Sequence, residues 1–211
     1  MSHFSRRVFL AVSMAAVAFP AFADDDENTL ILNTKHGKVV IRLWPKLAPK
    51  TVAQVKKLAK RKFYDGLTFH RVIPGFMAQT GDPKGDGSGG SDLPDIPAEF
   101  NAKPFTRGTV GMARSSEPNS ANSQFFICLG DADFLDGKYT AFGEVVTGMD
   151  VVDQIKAGSQ DNDGAVDHPD KIITLRLASA DKPKAKAMDA PDAPAPDAAA
   201  PAPAATPSGQ D

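Results

Sequence analysis

Between Leu30 and Leu177 the chain is cut by turn residues into short β-rich apolar runs, and only two stretches carry helical spacing. Residues 30–43 (LILNTKHGKVVIRL) hold two such runs around Lys35-His36-Gly37-Lys38, a hairpin signal. Pro49-Lys50-Thr51 then opens a helix in which Val52, Val55 and Leu58/Ala59 recur at helical spacing, with lysines elsewhere on the cylinder. Gly66 closes that connection and residues 67–73 read as the next strand. Residues 81–90 (GDPKGDGSGG) carry five glycines in ten positions and can only be a loop. Further apolar runs lie at 109–113, 123–129 and 140–145, a second short helix at 150–156, and a last strand at 172–177. Many short strands with two helices predict a mostly β fold, a closed β-barrel with helical caps.

The two ends read differently from this middle. Residues 1–23 have a basic start at Arg6 and Arg7, an apolar run over 8–19 and a small-x-small end at Ala21-Phe22-Ala23, which predicts a secretory signal peptide rather than a retained anchor. Ser5-Arg6-Arg7-Val8-Phe9-Leu10 also resembles the twin-arginine export motif, although paired arginines occur in ordinary Sec signals too. The last 31 residues contain 7 Pro and 11 Ala and no aromatic, so residues 180–211 are expected to be a disordered tail with polyproline II character. A solvated spacer is the plain reading of that tail; a docking segment or internal proline-rich ligand is the functional one. One folded domain, residues 24–179, remains. Loss of Arg6 and Arg7 moves the formal charge from −2 to −4, and nothing suggests a nucleic-acid footprint. The lone Cys128 lies in SQFFICL, a buried-strand pattern, and is expected to be a small core residue with no redox task.

Three stretches carry the chemistry. Residues 69–83 (FHRVIPGFMAQTGDP) put one permanent cation, Arg71, beside Phe76, Met77 and the neutral amide of Gln79. Residues 122–129 (NSQFFICL) and 133–145 (DFLDGKYTAFGEV) complete the set. Together they resemble the cyclophilin family of peptidyl-prolyl cis/trans isomerases, over roughly residues 28–178 and without large gaps. The resemblance implies an eight-stranded antiparallel barrel and an enzyme that needs no cofactor.

The residue types suit that chemistry. Rotation about an Xaa–Pro bond faces a barrier of roughly 18–20 kcal/mol because resonance flattens the amide. A catalyst must hold the ring and flanking backbone and stabilise the twisted amide better than either planar form. When twisted, the prolyl nitrogen regains a lone pair, which a planar, always-charged guanidinium such as Arg71 can meet. Phe76, Met77, Phe126 and Leu135 fit a ring-sized apolar pocket. Gln79 and Gln124 offer amides for the peptide's backbone groups. Adjacent Phe125 and Phe126 face opposite sides of a strand; the family pattern assigns Phe126 to the proline pocket and Phe125 to the interior. It also matches Met112, Ala113 and Arg114 to the segment that pairs with bound peptide. Arg114 stands where many relatives have asparagine, Phe134 where many have tryptophan, and Tyr139 where histidine is common. Both aromatic substitutes keep a pocket rim. Phe134 lacks the indole N–H that the resemblance links to cyclosporin binding, which puts high drug sensitivity in doubt.

Two other readings are weighed. His70 has no paired nucleophile motif and, as strand neighbour of Arg71, points the other way, so it is expected to be packed or hydrogen-bonded. Residues 159–170 (SQDNDGAVDHPD) approach a calcium-loop spacing, but Ser159 at the first position, Pro169 and the strand that follows favour a plain acidic loop, and no metal site is expected. The expectation is therefore an exported, monomeric periplasmic isomerase acting on proline-containing peptides and unfolded or flexible client proteins. The rival is a proline-binding chaperone module with incidental isomerase activity.

Overall fold

The computed structural model describes residues 26–181. The expected leader and nearly all of the Ala/Pro-rich tail lie outside them.

Strands β1 (Thr29–Thr34) and β2 (Gly37–Leu43) form the expected hairpin, paired from Thr29 with Arg42 to Thr34 with Gly37. Leu30 and Leu32 on β1 alternate with less buried positions, as do Val39, Ile41 and Leu43 on β2, so one face enters the core. Helix α1 (Pro49–Lys60) buries Val52, Val55, Leu58 and Ala59 on one stripe and packs against the last strand. Its N-terminus has no cap from its own Ala48. Glu99, distant in sequence, accepts instead from the Lys50 and Thr51 N–H groups at 2.9 and 2.8 Å, placing a negative charge at the positive end of the helix.

The remaining strands and α-helices are β3 (Arg71–Ile73), β4 (Met77–Thr80), β5 (Thr109–Met112), β6 (Phe125–Cys128), β7 (Ala141–Thr147), α2 (Met149–Val152), β8 (Thr174–Leu177) and α3 (Ala178–Asp181). All eight strands join one antiparallel sheet in the order β3-β4-β6-β5-β7-β2-β1-β8. The sheet is a curled half-barrel, and the closed barrel expected from the sequence is not what the hydrogen bonding gives. Among the described residues no ladder joins β3 to β8. The segments preceding those strands are stitched instead by one bridge, Thr68 with Lys171, and by backbone bonds from Gly66 to Ile172, Ile172 to Leu67 and Phe69 to Asp170. This is why the strand expected over 67–73 shrinks to three residues. The second helix is also shorter than expected, a single turn at Met149–Val152, and α3 runs across the boundary expected at 179/180.

Asp170 pins this seam. Its carboxylate is almost fully buried, yet it meets Lys35 Nζ at 2.6 Å, His36 Nε2 at 2.8 Å and the Lys156 N–H at 3.0 Å, while its own carbonyl accepts from Phe69. The β1–β2 turn and the segment after α2 are thus held by the side chain of Asp170, and the seam by its carbonyl. Burial pushes its pKa up, but the hydrogen bonds from Lys35, His36 and Lys156 outweigh it and hold the value at about 2. A carboxylate whose folded pKa lies below its unfolded value stabilises the fold above the unfolded pKa, and that contribution fades as pH falls toward 2. Asp170→Asn should therefore lower stability at pH 7 by on the order of 2 kcal/mol. The gap to the wild type should close as denaturant melts are taken from pH 5 toward pH 2; a gap independent of pH contradicts this role.

Candidate active site

Strand register builds the site. Arg71 on β3 pairs with Gln79 on β4, Gln79 with Phe126 on β6, and Phe126 with Gly111 on β5. Directly opposed residues share a face, so these four form a row across the outside of the sheet. The alternate positions, Val72, Ala78, Ile127 and Val110, belong to the inner core. Outside, Met77, Phe105, Phe126, Cys128, Ala132, Leu135 and Ala141 form a second apolar cluster. β5 and β6 therefore show unbroken burial instead of alternation, because both of their faces are covered.

A cavity of about 110 Å³ opens on this outer cluster, lined by Arg71, Phe76, Met77, Gln79, Ala113, Arg114, Phe126, Leu135 and Tyr139. Nine of the eleven residues singled out from the sequence thus meet around one concavity. The Phe126 ring is its apolar wall, stacked on Phe105 at 5.8 Å and met edge-on by Tyr139 at 6.1 Å. Gly111 makes room for that ring: a Cβ there would lie 2.5 Å from Phe126 Cζ and 2.6 Å from Phe105 Cε1. Phe134 does not line the cavity; it is 61% exposed and its ring lies against Phe76 at 5.1 Å. Gln124 lines a neighbouring polar cavity of about 210 Å³, which shares Gln79, Ala113 and Arg114 with the first. A larger hollow of about 550 Å³ over α1, among Pro45, Pro49 and the helix's lysines, contains none of these residues.

The polar groups are already tethered to one another. Arg71 Nε donates to the Asp163 carbonyl at 2.8 Å, Nη2 to Asp163 Oδ1 at 2.9 Å, and Nη1 more weakly to Gln79 Oε1 at 3.4 Å. Three of its five N–H groups fix the plane and two have no partner among the described residues. Arg71 in turn holds the exposed Asp163 carboxyl below the usual range, through its hydrogen bond and then its charge. Gln79 Nε2 donates to Gln124 Oε1 at 2.9 Å, and Gln124 Nε2 donates to the Gly87 and Gly89 carbonyls at 2.9 and 2.8 Å. Both Gln124 donors are therefore engaged, and its amide, expected to hold peptide, braces Gln79. The Ala113 N–H is taken by the Gln124 carbonyl at 3.0 Å, which leaves Ala113 its own carbonyl as its backbone group for a ligand.

His70 faces inward, 6% exposed, and neither ring nitrogen has a hydrogen-bond partner. It is packed, with the Thr68 backbone a polar group acting on its ring. Burial lowers its pKa, opposed mainly by the charge of Asp82, and the ring is absent from the lining of the cavity beside Arg71. Cys128 is buried, and burial with the nearby Asp131 and Asp136 charges pushes its thiol up to about 12. Residues 159–170, weighed above as a calcium loop, use Asp163 on Arg71 and Asp170 at the seam.

Comparison with known proteins identifies the family. The family model for cyclophilin-type peptidyl-prolyl cis-trans isomerases matches residues 29–177. The chain belongs to that family. It is 56% identical over 185 residues to a Brucella suis protein described as "Probable peptidyl-prolyl cis-trans isomerase", covering 82% of this chain and 94% of that one. It is 41% identical over 158 residues to an Arabidopsis thaliana peptidyl-prolyl cis-trans isomerase, covering 72% of this chain and 31% of that one. Among solved structures it resembles the cyclophilin AquaCyp293 from Hirschia baltica, with TM-score 0.68 and 29% identity over 76% of this chain and 77% of that one. A Cryptosporidium parvum cyclophilin solved in the presence of the dipeptide Ala-Pro gives TM-score 0.65 and 25% identity over 71% of this chain and 98% of that one. The chain is accordingly a cyclophilin-type peptidyl-prolyl cis-trans isomerase, an enzyme.

Three elements of this cyclophilin site escape a reading by residue type. Asp163 lies 92 positions from Arg71, in the loop weighed as a calcium site and read as a plain acidic loop. Phe105 sits between loop residues with no periodicity to mark it. Gly111 could have been noticed, since a glycine inside a strand marks close approach by another group. Gly111→Ala should force the Phe126 and Phe105 rings apart and distort the pocket, costing about 1–3 kcal/mol of stability and about tenfold or more in kcat/KM on a proline peptide. Calorimetric melts and a peptide isomerisation assay test both; an unchanged kcat/KM means that the ring position does not shape the site.

Proposed function

We propose that this enzyme rotates Xaa–Pro bonds in peptides and in unfolded or flexible segments of client proteins, using the cavity around Phe126. The observation that carries the reading is a guanidinium locked in plane at the edge of an apolar pocket, with two N–H groups left over. The proline ring enters among Phe76, Met77, Phe126 and Leu135. Arg71 then points a free donor at the prolyl nitrogen, whose lone pair appears only when the amide is twisted, so the contact favours the transition state over both planar forms. Gln79 keeps one amide hydrogen for the peptide's carbonyl and Ala113 its carbonyl for a peptide N–H. Because Arg71 is held before substrate arrives, little reorganisation is needed during the rotation. No electron or proton changes hands, so the chemistry requires no cofactor. The leader-like residues 1–23 support a periplasmic setting, where the enzyme would assist folding of exported proteins.

Arg71→Ala should lose roughly 2–4 kcal/mol of transition-state stabilisation, about thirty- to a thousandfold in kcat/KM, while melting near the wild type. Turnover close to normal in a protease-coupled or NMR exchange assay overturns the role of Arg71. The export reading has its own measurement. Changing Arg6 and Arg7 together to lysine keeps the leader's charge; leader processing should stop if the paired arginines are read specifically, and unimpaired processing points to the Sec route.

A further inference from the structure

Six arginines lie among the described residues, and five have a carboxylate partner. Arg42 meets Glu144, Arg61 meets Asp92, Arg71 meets Asp163, Arg107 meets Asp153 and Arg176 meets Asp65. The sixth is Arg114, with no carboxylate of the described residues within 4.0 Å. It is nevertheless firmly placed. Nε and Nη2 donate to the Lys138 carbonyl at 3.3 and 2.9 Å, and Nη1 to the Ser115 and Ser116 carbonyls at 2.8 and 3.2 Å. Its guanidinium lies over the Tyr139 ring, 4.4 Å from the centroid. Every one of these partners is neutral, so the positive charge is held without being cancelled.

Its position gives that charge a use. Arg114 lines both the apolar cavity at Phe126 and the neighbouring polar one, whose other walls are Gln79, Ser88, Ser115, Ser120, Asn122, Gln124 and the backbone of Gly87, Gly89 and Ala113. That second cavity contains hydroxyls and amides and no second charge of either sign. A peptide seated by its proline in the first cavity would lay a neighbouring side chain into the second, where Arg114 is the one ionic group among the described lining residues.

We propose that Arg114 selects proline segments bearing a carboxylate side chain, aspartate or glutamate, within two residues of the proline. This rests on the isomerase reading of the groove. A carboxylate there neutralises a guanidinium that has no carboxylate of the described residues within 4.0 Å, whereas a lysine meets like charge; Asp86 and Glu117 border the cavity beyond its lining. The contact stands at a solvated rim, so its strength should depend on salt.

The test is a peptide series with Glu, Gln or Lys at each of the two positions before and after proline. Turnover (kcat/KM) and calorimetric Kd are read for wild type, Arg114→Asn and Arg114→Lys at about 20 mM and about 500 mM salt. Wild type should prefer Glu to Gln about five- to thirtyfold at one position at low salt, with Lys below Gln and the contrast shrinking at high salt. Arg114→Asn should bring the Glu/Gln ratio below about two, and Arg114→Lys should keep part of it. Each ratio is taken within one protein, so a general loss of activity in a variant does not obscure it, and the wild-type ratio and its salt dependence stand without the variants. Glu/Gln parity in both binding and turnover at every position, or a ratio unchanged in Arg114→Asn, overturns the proposal alone. Absence of turnover on all peptides by the wild type overturns the isomerase reading instead.

Discussion

The structure depends on one registration: Arg71, Gln79, Phe126 and Gly111 aligned across β3, β4, β6 and β5. Strand geometry sends alternate side chains to opposite faces, so this row fixes two things together. It places Val72, Ala78, Ile127 and Val110 in the inner core, and it puts a cation, an amide, an aromatic ring and a gap side by side outside. A slip of one residue in β4 would exchange the faces, burying Gln79 and turning Ala78 outward. Core packing and site assembly are the same event, because the apolar cost of the wrong register is carried by the core.

Chemistry of this kind needs rigidity more than reactive groups. Rotation of an amide breaks no bond, and the only charge feature that changes is a nitrogen lone pair. The protein answers with a guanidinium tied down at Nε, Nη1 and Nη2, braced by a chain running from Gln79 through Gln124 to the loop carbonyls of Gly87 and Gly89. The glycine-rich loop therefore supports the site as well as connecting strands. Asp163, in a left-handed conformation with φ of 49°, delivers both its carbonyl and its carboxylate to Arg71. The same loop bonds to both sides of Val72 through Gly158 and Gly164, covering the exposed edge of β3.

Much of this was legible in the residues, for definable reasons. The β1–β2 hairpin and α1 follow from local periodicity and turn chemistry, and local rules need no tertiary knowledge. That Phe125 and Phe126 part to opposite faces follows from strand alternation, while the resemblance says which of them faces the pocket. Most of the cavity's lining came from the resemblance of FHRVIPGFMAQ and NSQFFICL to a known family. What stayed hidden depends on chain segments far apart in sequence. β4 is only four residues long and lies inside a motif with no alternation of its own to mark it. The seam around Asp170 gathers Lys35, His36, Lys156 and Phe69, which no spacing rule connects. Gln124 and Ala113 have the right chemistry for peptide binding, yet their donors are committed within the protein, a matter of competition that residue type cannot reveal. Arg71 itself, an arginine on a short strand, did acquire the carboxylate partner that a surface arginine usually has; the role proposed for it uses the N–H groups that remain.

The central claim is that Arg71 works through oriented, planar donors rather than through positive charge alone. Arg71→Lys separates the two, since lysine keeps the charge but cannot satisfy Asp163 and Gln79 while presenting a further fixed N–H to the substrate. The direct measurement is line-shape or exchange NMR on one proline peptide, which yields its affinity and its catalysed cis–trans rate from the same spectra. The account predicts affinity within a few-fold of the wild type and a catalysed rate lower by about a hundredfold. An Arg71→Lys enzyme that turns over at near wild-type rate would contradict it, and charge at that position would be sufficient.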